Sequence, residues 1–483
     1  MTVRALSVAS EAVPLIKTGG LGDVAGALPA ALAPHDVAVT TLLPGYPSVL
    51  RALPGAKAVH KWAGLLGSPA RLLAHDELLI LDAPGLFDRE GSPYTDNAGH
   101  DWPDNWRRFA AFGRAAADIA GGAVKGREFD LLHAHDWQAG MAPAYLRFAP
   151  RKAAKQPVPS VMTIHNIAFQ GHYPAHTFPA LGLPAAAWAV DGVEYHGGVG
   201  FLKAGLESAW AVTTVSPTYA REIGTPEFGM GLDGLIASRG ETVTGIVNGI
   251  DTAEWDPGAD PQLAANYTVR TLARRSANKR ALEAEFGLDP GDGPLFVVIS
   301  RLTWQKGMDV LLEAIEHLVW LGGRLALLGA GDAALEAGFH AIAARHPGRI
   351  GVRTGYDEVL AHRMQAGGDA ILVPSRFEPC GLTQLYALRY GCVPVVARTG
   401  GLADTVIDAN LAALSSGVAT GILFGGANPQ TLKDALDRTV ALWSRPADWR
   451  TVQRAGMKQD FSWGRSGAAY AALYRRLIAS AAG

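Results

Sequence analysis

Short runs of β-branched and other apolar residues recur along the chain, separated by Ala- and Leu-rich stretches of helical period. In the first half these runs predict strands at residues 4–10, 37–44, 78–82, 130–135, 161–165, 211–216 and 245–248. In the second half they predict strands at residues 295–300, 324–329, 350–355, 370–374, 393–397 and 421–424. The runs are continuous rather than alternating, which is typical of parallel strands buried on both faces.

The alternation of strands with helices predicts an α/β protein whose two halves each form a doubly wound, Rossmann-like sheet. The pattern breaks at residues 249–263, which are rich in Asp, Pro and Gly, so we place the boundary between two domains there. Near the end of the chain, Tyr470, Leu473, Tyr474 and Leu477 recur at helical spacing and predict an amphipathic helix. In such sheets, ligands bind beyond the carboxyl ends of the strands.

Composition narrows the class of protein. The chain of 483 residues is 48% apolar and 18% charged, as expected of a soluble protein with sizeable cores. Its 43 basic and 45 acidic residues nearly cancel, so we expect no nucleic-acid partner and no attachment to a membrane. Cys380 and Cys392 are too few for a disulfide framework, and we find neither a signal peptide nor a spanning segment. A cytoplasmic location is the expectation.

Two cations follow the first predicted strand of the second half. Arg301 and Lys306 flank one turn at the start of a helix. This arrangement suits a diphosphate because Arg offers a fork of donors and Lys a point charge. The alternative is a pair of surface cations. Tyr356, beyond another strand, can stack on a base or merely cap a core.

The stretch at residues 374–384 is the most informative one. Glu378 lies in a turn after a strand, and Gly381 opens a helix whose first N–H groups, at Leu382 and Thr383, are expected to point at an anion. Glu378 would then bind sugar hydroxyls beside the anion. Its alternative role is that of an ordinary acidic residue at a helix N-terminus.

In the first half, a glycine-rich turn follows the first strand. It carries Lys17, Gly19, Gly20 and Asp23 and leads into a helix, so the backbone can approach a ligand closely. The spacing fits neither the Walker phosphate loop nor the dinucleotide fingerprint. A glycine turn with a solvated lysine is the alternative.

Polar and aromatic residues gather at two further strand ends of the first half. We expect them to contact sugar, through polar edges for hydroxyls and an aromatic face for a ring; they are His133, His135, Asp136, Trp137, His165 and Asn166, with Tyr94, Asp96 and Asn97 extending the surface. His133 and His135 share a strand face, so a metal site is the alternative, although no third ligand stands at a diagnostic spacing. A structural role is open for each lone histidine.

Taken together, these residues resemble the bacterial glycogen synthases and plant starch synthases. The resemblance rests on residues 17–23, 133–137, 163–166, 247–251, 300–303, 305–307 and 375–390, and it spans the chain from residue 8 to beyond residue 400. It implies two Rossmann-like domains facing a cleft, the GT-B fold, with the C-terminal helix crossing back to the first domain. The domains would be an acceptor domain at 1–248, a nucleotide-sugar domain at 249–460 and the helix at 461–483.

The same resemblance implies an ADP-glucose:α-1,4-glucan 4-α-glucosyltransferase of glycogen biosynthesis. It would move glucose from ADP-glucose to the 4-hydroxyl at the non-reducing end of a glucan, retaining the α configuration and using neither a metal nor a cofactor. A related enzyme of the same fold that uses UDP-glucose or a small acceptor is the alternative. A catalytically dead glucan-binding protein is a third alternative, which the phosphate-binding cations and Glu378 disfavour.

The resemblance also distributes roles. Catalysis would depend on Glu378, His165, Arg301 and Lys306. The donor would be bound by Arg301 and Lys306 together with Lys17, Gly19, Gly20, Asp23, Tyr356, Gly381, Leu382 and Thr383. The sugar and acceptor would be bound by Tyr94, Asp96, Asp136, Trp137, His165, Asn166 and Asn248. Many relatives of the fold carry a second glutamate eight positions after the first, and here that position is Tyr386, which argues against a paired-carboxylate mechanism.

Overall fold

The chain forms two compact units in the computed structural model, which describes residues 2–149 and 157–482. The first unit comprises Met1–Gly249 together with Trp463–Gly483, and the second comprises Ile250–Ser462. The sequence placed these limits at residues 248 and 460. The polypeptide thus leaves the first unit after residue 249 and returns to it at residue 463.

The first unit is built on a large sheet. Its strands are β1 (Val3–Val8), β2 (Val37–Pro44), β3 (Lys57–Leu65), β4 (Ser68–His75), β5 (Leu78–Asp82), β6 (Leu131–His135), β7 (Ser160–Ile164), β8 (His172–Pro174), β9 (Glu194–Tyr195), β10 (Gly198–Gly200), β11 (Ala211–Thr214) and β12 (Val243–Gly245). The order β12-β11-β7-β6-β1-β2-β5-β4-β3 makes one sheet, and β8-β10-β9 makes a small second one.

Helices connect these strands. They are α1 (Gly20–Leu32), α2 (Pro47–Ala52), α3 (Pro84–Phe87), α4 (Asn105–Ala120), α5 (Asp136–Ala139), α6 (Met141–Phe148), α7 (Phe201–Ser208), α8 (Pro217–Glu222) and α9 (Asp233–Arg239). The pairs from β12 through β5 are all parallel, as the continuous apolar runs predicted.

One edge of this sheet differs from the prediction. β3 and β4 form an antiparallel hairpin that extends the sheet beyond β5. The hairpin turns through Leu66 and Gly67, whose φ angles are 44° and 79°. Such a pair of left-handed residues is typical of tight hairpins. β3 is largely exposed, so it lacks the apolar run that marks the buried strands.

The second unit is a single parallel sheet covered by helices. Its strands are β13 (Leu295–Ile299), β14 (Arg324–Gly329), β15 (Ile350–Thr354), β16 (Ala370–Val373), β17 (Val393–Ala397) and β18 (Ile422–Phe424), in the order β15-β14-β13-β16-β17-β18. Its helices are α10 (Arg275–Phe286), α11 (Met308–Trp320), α12 (Ala333–Arg345), α13 (Glu358–Gly367), α14 (Thr383–Tyr390), α15 (Gly400–Thr405), α16 (Leu411–Ser415), α17 (Pro429–Trp443) and α18 (Pro446–Met457).

Alternate residues of the central strand β13 enter different cores. Phe296 and Val298 belong to the cluster on one face of the sheet, whereas Leu295 and Val297 belong to the cluster on the other face. Each of these residues is therefore needed in a core, which explains the continuous apolar run in the sequence.

Each sheet reverses its winding at its central strand. In the first unit β1 has β2 on one side and β6 on the other, and in the second unit β13 has β14 on one side and β16 on the other. Such a switch point opens a crevice at the carboxyl ends of the two central strands. The glycine-rich turn at residues 17–23 follows β1, and Asp136 follows β6. In the second unit, Arg301 follows β13, and Glu378 follows β16.

The last helix, α19 (Trp463–Ala482), packs on the first unit, as predicted. Tyr470 and Tyr474 join a buried cluster with Val24 and Leu28 of α1. Gly467 permits the close approach, since a Cβ there would lie 2.2 Å from the Ala31 carbonyl oxygen. Within residues 2–149 and 157–482, every helix is too short or too polar to span a lipid bilayer.

Candidate active site

Two segments of the second unit meet at its switch point. The turn after β13, residues 300–307, contacts the loop after β16, where the Arg376 backbone N–H donates to the Gln305 carbonyl at 2.9 Å. Gly307 has a φ of 65°, and a Cβ there would lie 2.0 Å from the Pro374 carbonyl oxygen. Glycine at position 307 therefore lets the two segments touch.

Lys306 and Glu378 are paired with each other at this contact. Lys306 Nζ lies 2.8 and 2.6 Å from the two carboxylate oxygens of Glu378, and Ser375 Oγ donates to the same carboxylate at 2.8 Å. Glu378 is only 6% exposed, which is unlike a solvated charge at a helix N-terminus. The charge-assisted bonds hold both side chains in one orientation. A ligand at this place meets a cation and a carboxylate in a fixed arrangement.

The N-terminus of α14 lies in the loop that carries Glu378. Among the hydrogen bonds of the described residues, none uses the backbone N–H of Leu382 or of Thr383. Gly381 has a φ of 71° and directs the chain into the helix. Gln384 Nε2 donates to the carbonyl oxygen of Gly381 at 2.8 Å. Two N–H groups at the positive end of a helix dipole are suited to an anion.

Arg301 lies in the turn after β13 and Tyr356 follows β15, and both side chains are exposed. The Arg301 guanidinium makes no hydrogen bond or ion pair to the part of the chain that the structure describes. Tyr356 is 76% exposed, and its hydroxyl donates to Glu358 Oε2 at 3.1 Å. Most of the Tyr356 side chain is thus exposed to solvent, and Arg301 can reach a new partner without breaking an old one.

In the first unit, the glycine-rich turn has open space above it. A Cβ on Gly19 or Gly20 would meet nothing within 4 Å, whereas one on Gly26 would lie 2.6 Å from the Val13 carbonyl oxygen. Packing therefore explains the glycine at 26 but not those at 19 and 20. Lys17 Nζ lies 2.7 Å from Asp23 Oδ1, so the lysine predicted to bind the donor is held at the start of α1.

Glu11 is a functional candidate that the sequence analysis missed. Its carboxylate, only 3% exposed, accepts hydrogen bonds from the Thr18 hydroxyl at 2.6 Å, from the Thr18 and Gly19 backbone N–H groups and from the Tyr94 hydroxyl. Ser10 Oγ lies 2.7 Å from the same tyrosine oxygen. Burial and the Glu11 charge raise the pKa of Tyr94 well above its usual value. The position of Glu11 directly after the strand predicted at residues 4–10 was the available signal.

A chain of buried hydrogen bonds leads to His165. Ser7 Oγ lies 3.2 Å from His135 Nε2, and His135 Nδ1 lies 3.0 Å from His165 Nε2. Burial lowers the pKa of His165 to about 3 and that of His135 well below its usual value, so both rings are neutral. With the Ser7 hydroxyl donating to His135 Nε2, His135 donates from Nδ1 and His165 carries its proton on Nδ1; the other tautomers reverse both bonds.

Asp136 begins α5 with a φ of 54°, a left-handed conformation that costs energy for a residue other than glycine. Its Oδ1 accepts the His165 backbone N–H at 2.7 Å and the Asn166 backbone N–H at 3.4 Å. Burial raises the pKa of Asp136 to about 7, against the lowering effect of these two bonds. Asp136 thus joins the ends of β6 and β7 and titrates near neutrality.

His133 is not a sugar-binding residue, contrary to the expectation. It is fully buried, with Nδ1 2.6 Å from the Tyr474 hydroxyl of α19 and Nε2 2.5 Å from Thr163 Oγ1. Both ring nitrogens are used within the fold, and burial lowers the pKa of His133 to about 3. This histidine therefore fastens α19 to the sheet.

Neither His133 nor His135 belongs to a set of three potential metal ligands in the described ranges. Such a set exists elsewhere, at Glu254, Glu358 and His362, which each place one ligand atom within 4.8 Å of the others. The structure thus gives no support to a metal site at the end of β6.

Trp137 also differs from the expectation. It is 8% exposed, its ring lies 4.9 Å from that of Phe109, and a Cβ on Gly171 would lie 2.5 Å from it. The ring is packed inside the unit and offers no open face to a sugar. Asp96 uses its carboxylate within its own loop, where Oδ1 accepts the Ala98 and His100 backbone N–H groups. The His100 bond is the main cause of its lowered pKa.

Two asparagines expected at the sugar site occupy different surroundings. Asn166 Oδ1 accepts the Ala168 backbone N–H at 3.0 Å, which shapes the turn after β7. Asn248 is buried, and its Oδ1 has no hydrogen-bond partner in residues 2–149 and 157–482. A buried oxygen without a donor is costly in a folded protein, which is an argument for a ligand or water there.

Tyr386, where many relatives of the fold carry a second glutamate, is part of an aromatic stack. Its ring lies 3.7 Å from that of Trp255 at an interplanar angle of 15°, and His362 stacks on Trp255 at 3.8 Å. The side chain supports the core below α14. Position 386 therefore supplies no second carboxylate.

Comparison with known proteins gives the family. Residues 4–238 match the family described as "Starch synthase catalytic domain", and residues 280–455 match "Glycosyl transferases group 1". The chain is 71% identical over 483 residues to a protein named "Glycogen synthase" from Novosphingobium aromaticivorans, with 99% of each covered. It is 58% identical over 480 residues to the "Glycogen synthase" of Mesorhizobium japonicum, again with 99% of each covered.

Solved structures agree with this assignment. The catalytic domain of starch synthase IV from Arabidopsis thaliana, solved with ADP and acarbose, matches with a TM-score of 0.87 and 30% identity over 99% of this chain and 100% of that one. A sucrose-phosphate synthase from Thermosynechococcus elongatus matches with a TM-score of 0.60 and 18% identity, over 99% and 100% of the two chains, and so shares the fold. The chain belongs to the bacterial glycogen synthase and starch synthase family of GT-B glycosyltransferases.

Proposed function

We propose that this chain transfers the glucosyl group of ADP-glucose to the 4-hydroxyl at the non-reducing end of an α-1,4-glucan, retaining the α configuration. The proposal rests above all on the arrangement at the switch point of the second unit. There the loop that carries Glu378, paired with Lys306, leads into the free N–H groups of Leu382 and Thr383 at the start of α14. Donors for an anion next to one carboxylate for hydroxyls suit a sugar joined to a diphosphate.

The second unit promotes the departure of the diphosphate. As the bond from the anomeric carbon to the distal phosphate oxygen breaks, negative charge grows on the diphosphate. Lys306 and the two N–H groups at α14 are donors held in place by the fold, and preorganised donors of this kind lower a barrier most effectively. Arg301 is an exposed cation that can move to the same charge. These groups supply the positive charge, so the proposed step includes neither a metal ion nor an organic cofactor.

We assign Glu378 to the hydroxyls of the donor glucose rather than to covalent attack. Its carboxylate is already held by Lys306 and Ser375, and Tyr386 stands where a second carboxylate would be needed for a two-carboxylate mechanism. The acceptor oxygen instead bonds to the anomeric carbon on the face from which the diphosphate leaves. The acceptor proton passes to the departing phosphate oxygen, which balances the reaction.

We assign to the first unit the binding of the neutral hydroxyl groups of the acceptor and of part of the donor. His165 is neutral, and we assign it the tautomer with its proton on Nδ1, which makes it a donor for a sugar oxygen. Asp136 orients the backbone at His165. Tyr94, Asn166 and Asn248 complete the proposed acceptor surface. We leave out Trp137 because its ring is packed inside the unit, and Asp96 because its carboxylate is bonded within its own loop. Lys17, Gly19, Gly20 and Asp23 are assigned to the donor by family resemblance and by the open space at the two glycines.

The donor and acceptor can be tested directly. Purified protein is incubated with glycogen and either ADP-glucose or UDP-glucose labelled in the glucosyl group, with and without a chelator of divalent ions. We expect label to enter glycogen from ADP-glucose, to be unaffected by the chelator and to be released by an α-1,4-specific amylase. A preference for UDP-glucose would favour the alternative donor. Failure to extend any α-glucan from either donor would refute the proposal.

A further inference from the structure

The turn after β13 presents a tryptophan that the proposed reaction does not use. Trp304 lies between Arg301 and Lys306 in sequence and is 62% exposed. Large aromatic side chains gain most from burial or from contact with a partner, and this indole has little burial of its own. Its backbone is well held: the Trp304 carbonyl accepts the Gly307 N–H at 3.0 Å.

Arg376 fixes the orientation of this indole. The guanidinium carbon lies 4.5 Å from the centroid of the Trp304 ring, and Arg376 Nη1 donates to the Trp304 carbonyl at 2.7 Å. The guanidinium also binds both carboxylate oxygens of Asp309 at 2.7 Å, and this bond is the first cause of the lowered pKa of Asp309. One face of the indole therefore rests on a cation that cannot easily move, and the exposed area belongs to the remainder of the ring.

The indole is part of the same rigid contact as the proposed catalytic groups. Arg376 lies two residues before Glu378, and its backbone N–H donates to the carbonyl of Gln305, the residue after Trp304. Lys306, the next residue, binds Glu378. The oriented indole is thus two residues from the lysine that binds Glu378.

We propose that Trp304 is a stacking platform for a glucose unit of the acceptor chain. A glucose ring has an apolar face of C–H groups and a rim of hydroxyls, so it can cover an indole while its rim stays hydrated. An α-glucan is uncharged, which fits a contact made by an aromatic face rather than by an ion pair. The inference rests on the proposed function, because it takes an α-glucan as the acceptor.

The chain contains a matched control. Trp320 is 77% exposed and is the last residue of α11, the helix of 13 residues that begins just after the turn carrying Trp304. It stacks on His317. The rise of an α-helix places it roughly 20 Å along α11 from the proposed site. Trp304 and Trp320 thus share residue type, unit and exposure but differ in place.

The kinetic test uses maltoheptaose, a linear α-1,4-glucan, as acceptor with ADP-glucose as donor. Trp304→Ala should raise the KM for maltoheptaose by about tenfold, as expected for the loss of one aromatic stacking contact. Trp304→Phe should recover most of the affinity, and Trp320→Ala should behave as the unsubstituted protein. A raised KM for ADP-glucose with an unchanged KM for maltoheptaose would overturn the proposal, since it would place the nucleotide on the indole.

A binding test without donor separates this inference from the proposed function. Maltoheptaose is titrated while the intrinsic tryptophan fluorescence is recorded. The fluorescence change of the unsubstituted protein should be lost in Trp304→Phe and kept in Trp320→Phe. An equal change in all three proteins would overturn the platform even if glucan synthesis were established. Conversely, loss of the change in Trp304→Phe alone would support the platform even if no glucosyl transfer were found.

Discussion

The two units bring side chains to the same place in their sheets but with opposite chemistry. At the switch point of the second unit lie Arg301, the Lys306–Glu378 pair and two free backbone N–H groups. At the switch point of the first unit lie neutral histidines, a carboxyl group with a pKa of about 7 and a buried carboxylate already surrounded by donors. Topology thus decides where a ligand binds, and the side chains decide which ligand.

Glu11 makes this difference concrete. In the first unit its carboxylate takes the N–H groups of Thr18 and Gly19 just before α1. In the second unit the N–H groups of Leu382 and Thr383 at α14 have no such internal anion among the described residues. Two N–H groups just before the first helix are therefore occupied by the protein's own carboxylate, whereas the two at the start of α14 remain available to a phosphate.

The largest effect should come from the carboxylate of the second unit. Glu378→Gln keeps the size of the side chain but removes its charge, and we expect kcat to fall by about 10³, at the upper end for removal of one preorganised group. Glucosyl incorporation into glycogen and the free energy of unfolding in urea should be measured together. A loss of stability in proportion to the loss of activity would show that Glu378 is chiefly structural.

Lys306→Ala should have the next largest effect. Removing this cation should lower kcat/KM for ADP-glucose by about 10² because the leaving diphosphate loses one fixed donor. The exposed Lys458 of the same unit provides the matched control, and Lys458→Ala should leave the kinetics unchanged. Equal kinetics for the two variants would mean that the diphosphate does not bind at Lys306, and that the second unit does not differ from the first in the way described.

Asp136 should make the stability of the first unit depend on pH. Its pKa is about 7 in the folded protein and about 4 when unfolded, so between these values the folded protein retains a proton that the unfolded chain has lost. The contribution of Asp136 to stability should therefore fall as pH rises from about 4 to about 7 and level off above. The buried histidines, whose pKa values are lowered, act in the opposite direction in both proteins. The decline should therefore appear in the difference in unfolding free energy between the unsubstituted protein and Asp136→Asn. Urea unfolding across that range will check it, and parallel curves for the two proteins would contradict it.

The smallest effect should come from Ser7→Ala. Losing the hydroxyl that orients His135 should reduce kcat by about threefold, the equivalent of a weak hydrogen bond. The loss should be the same from pH 5 to 8, because both histidines stay neutral there. Thr163→Val is the control: it removes a buried hydroxyl from the His133 network, and it should lower the melting temperature without changing kcat.

The strands were predictable where both of their faces are buried. Successive residues of β13 enter cores on opposite faces, so its apolar run is unbroken, and the same holds for most parallel strands of both sheets. The hairpin of β3 and β4 was missed because β3 faces solvent along most of its length. Local hydrophobicity marks burial rather than extended conformation, and an exposed edge strand carries little of it.

The sequence predicted where the candidate site lies better than it predicted the contacts between the side chains of the site. Placing ligands at strand ends located Arg301, Lys306 and Glu378, but the pairing of the last two spans 72 positions and leaves no local pattern. His133 and His135 look equivalent in sequence, but their contacts are remote and differ: His133 reaches the hydroxyl of Tyr474, 341 residues away, whereas His135 reaches His165. Trp137 is likewise covered through Gly171, which the local sequence around Trp137 does not reveal.

The return of the chain to the first unit at residue 463 has a consequence for synthesis. A ribosome completes residues 250–462, which include every strand of the sheet in the second unit, before it makes α19. Until then His133 lacks the Tyr474 hydroxyl, and Val24 and Leu28 lack the tyrosines that cover them. The first unit is therefore synthesised first but completed last. Until α19 is made, the apolar face of α1 is exposed on the nascent chain and is a surface prone to aggregation.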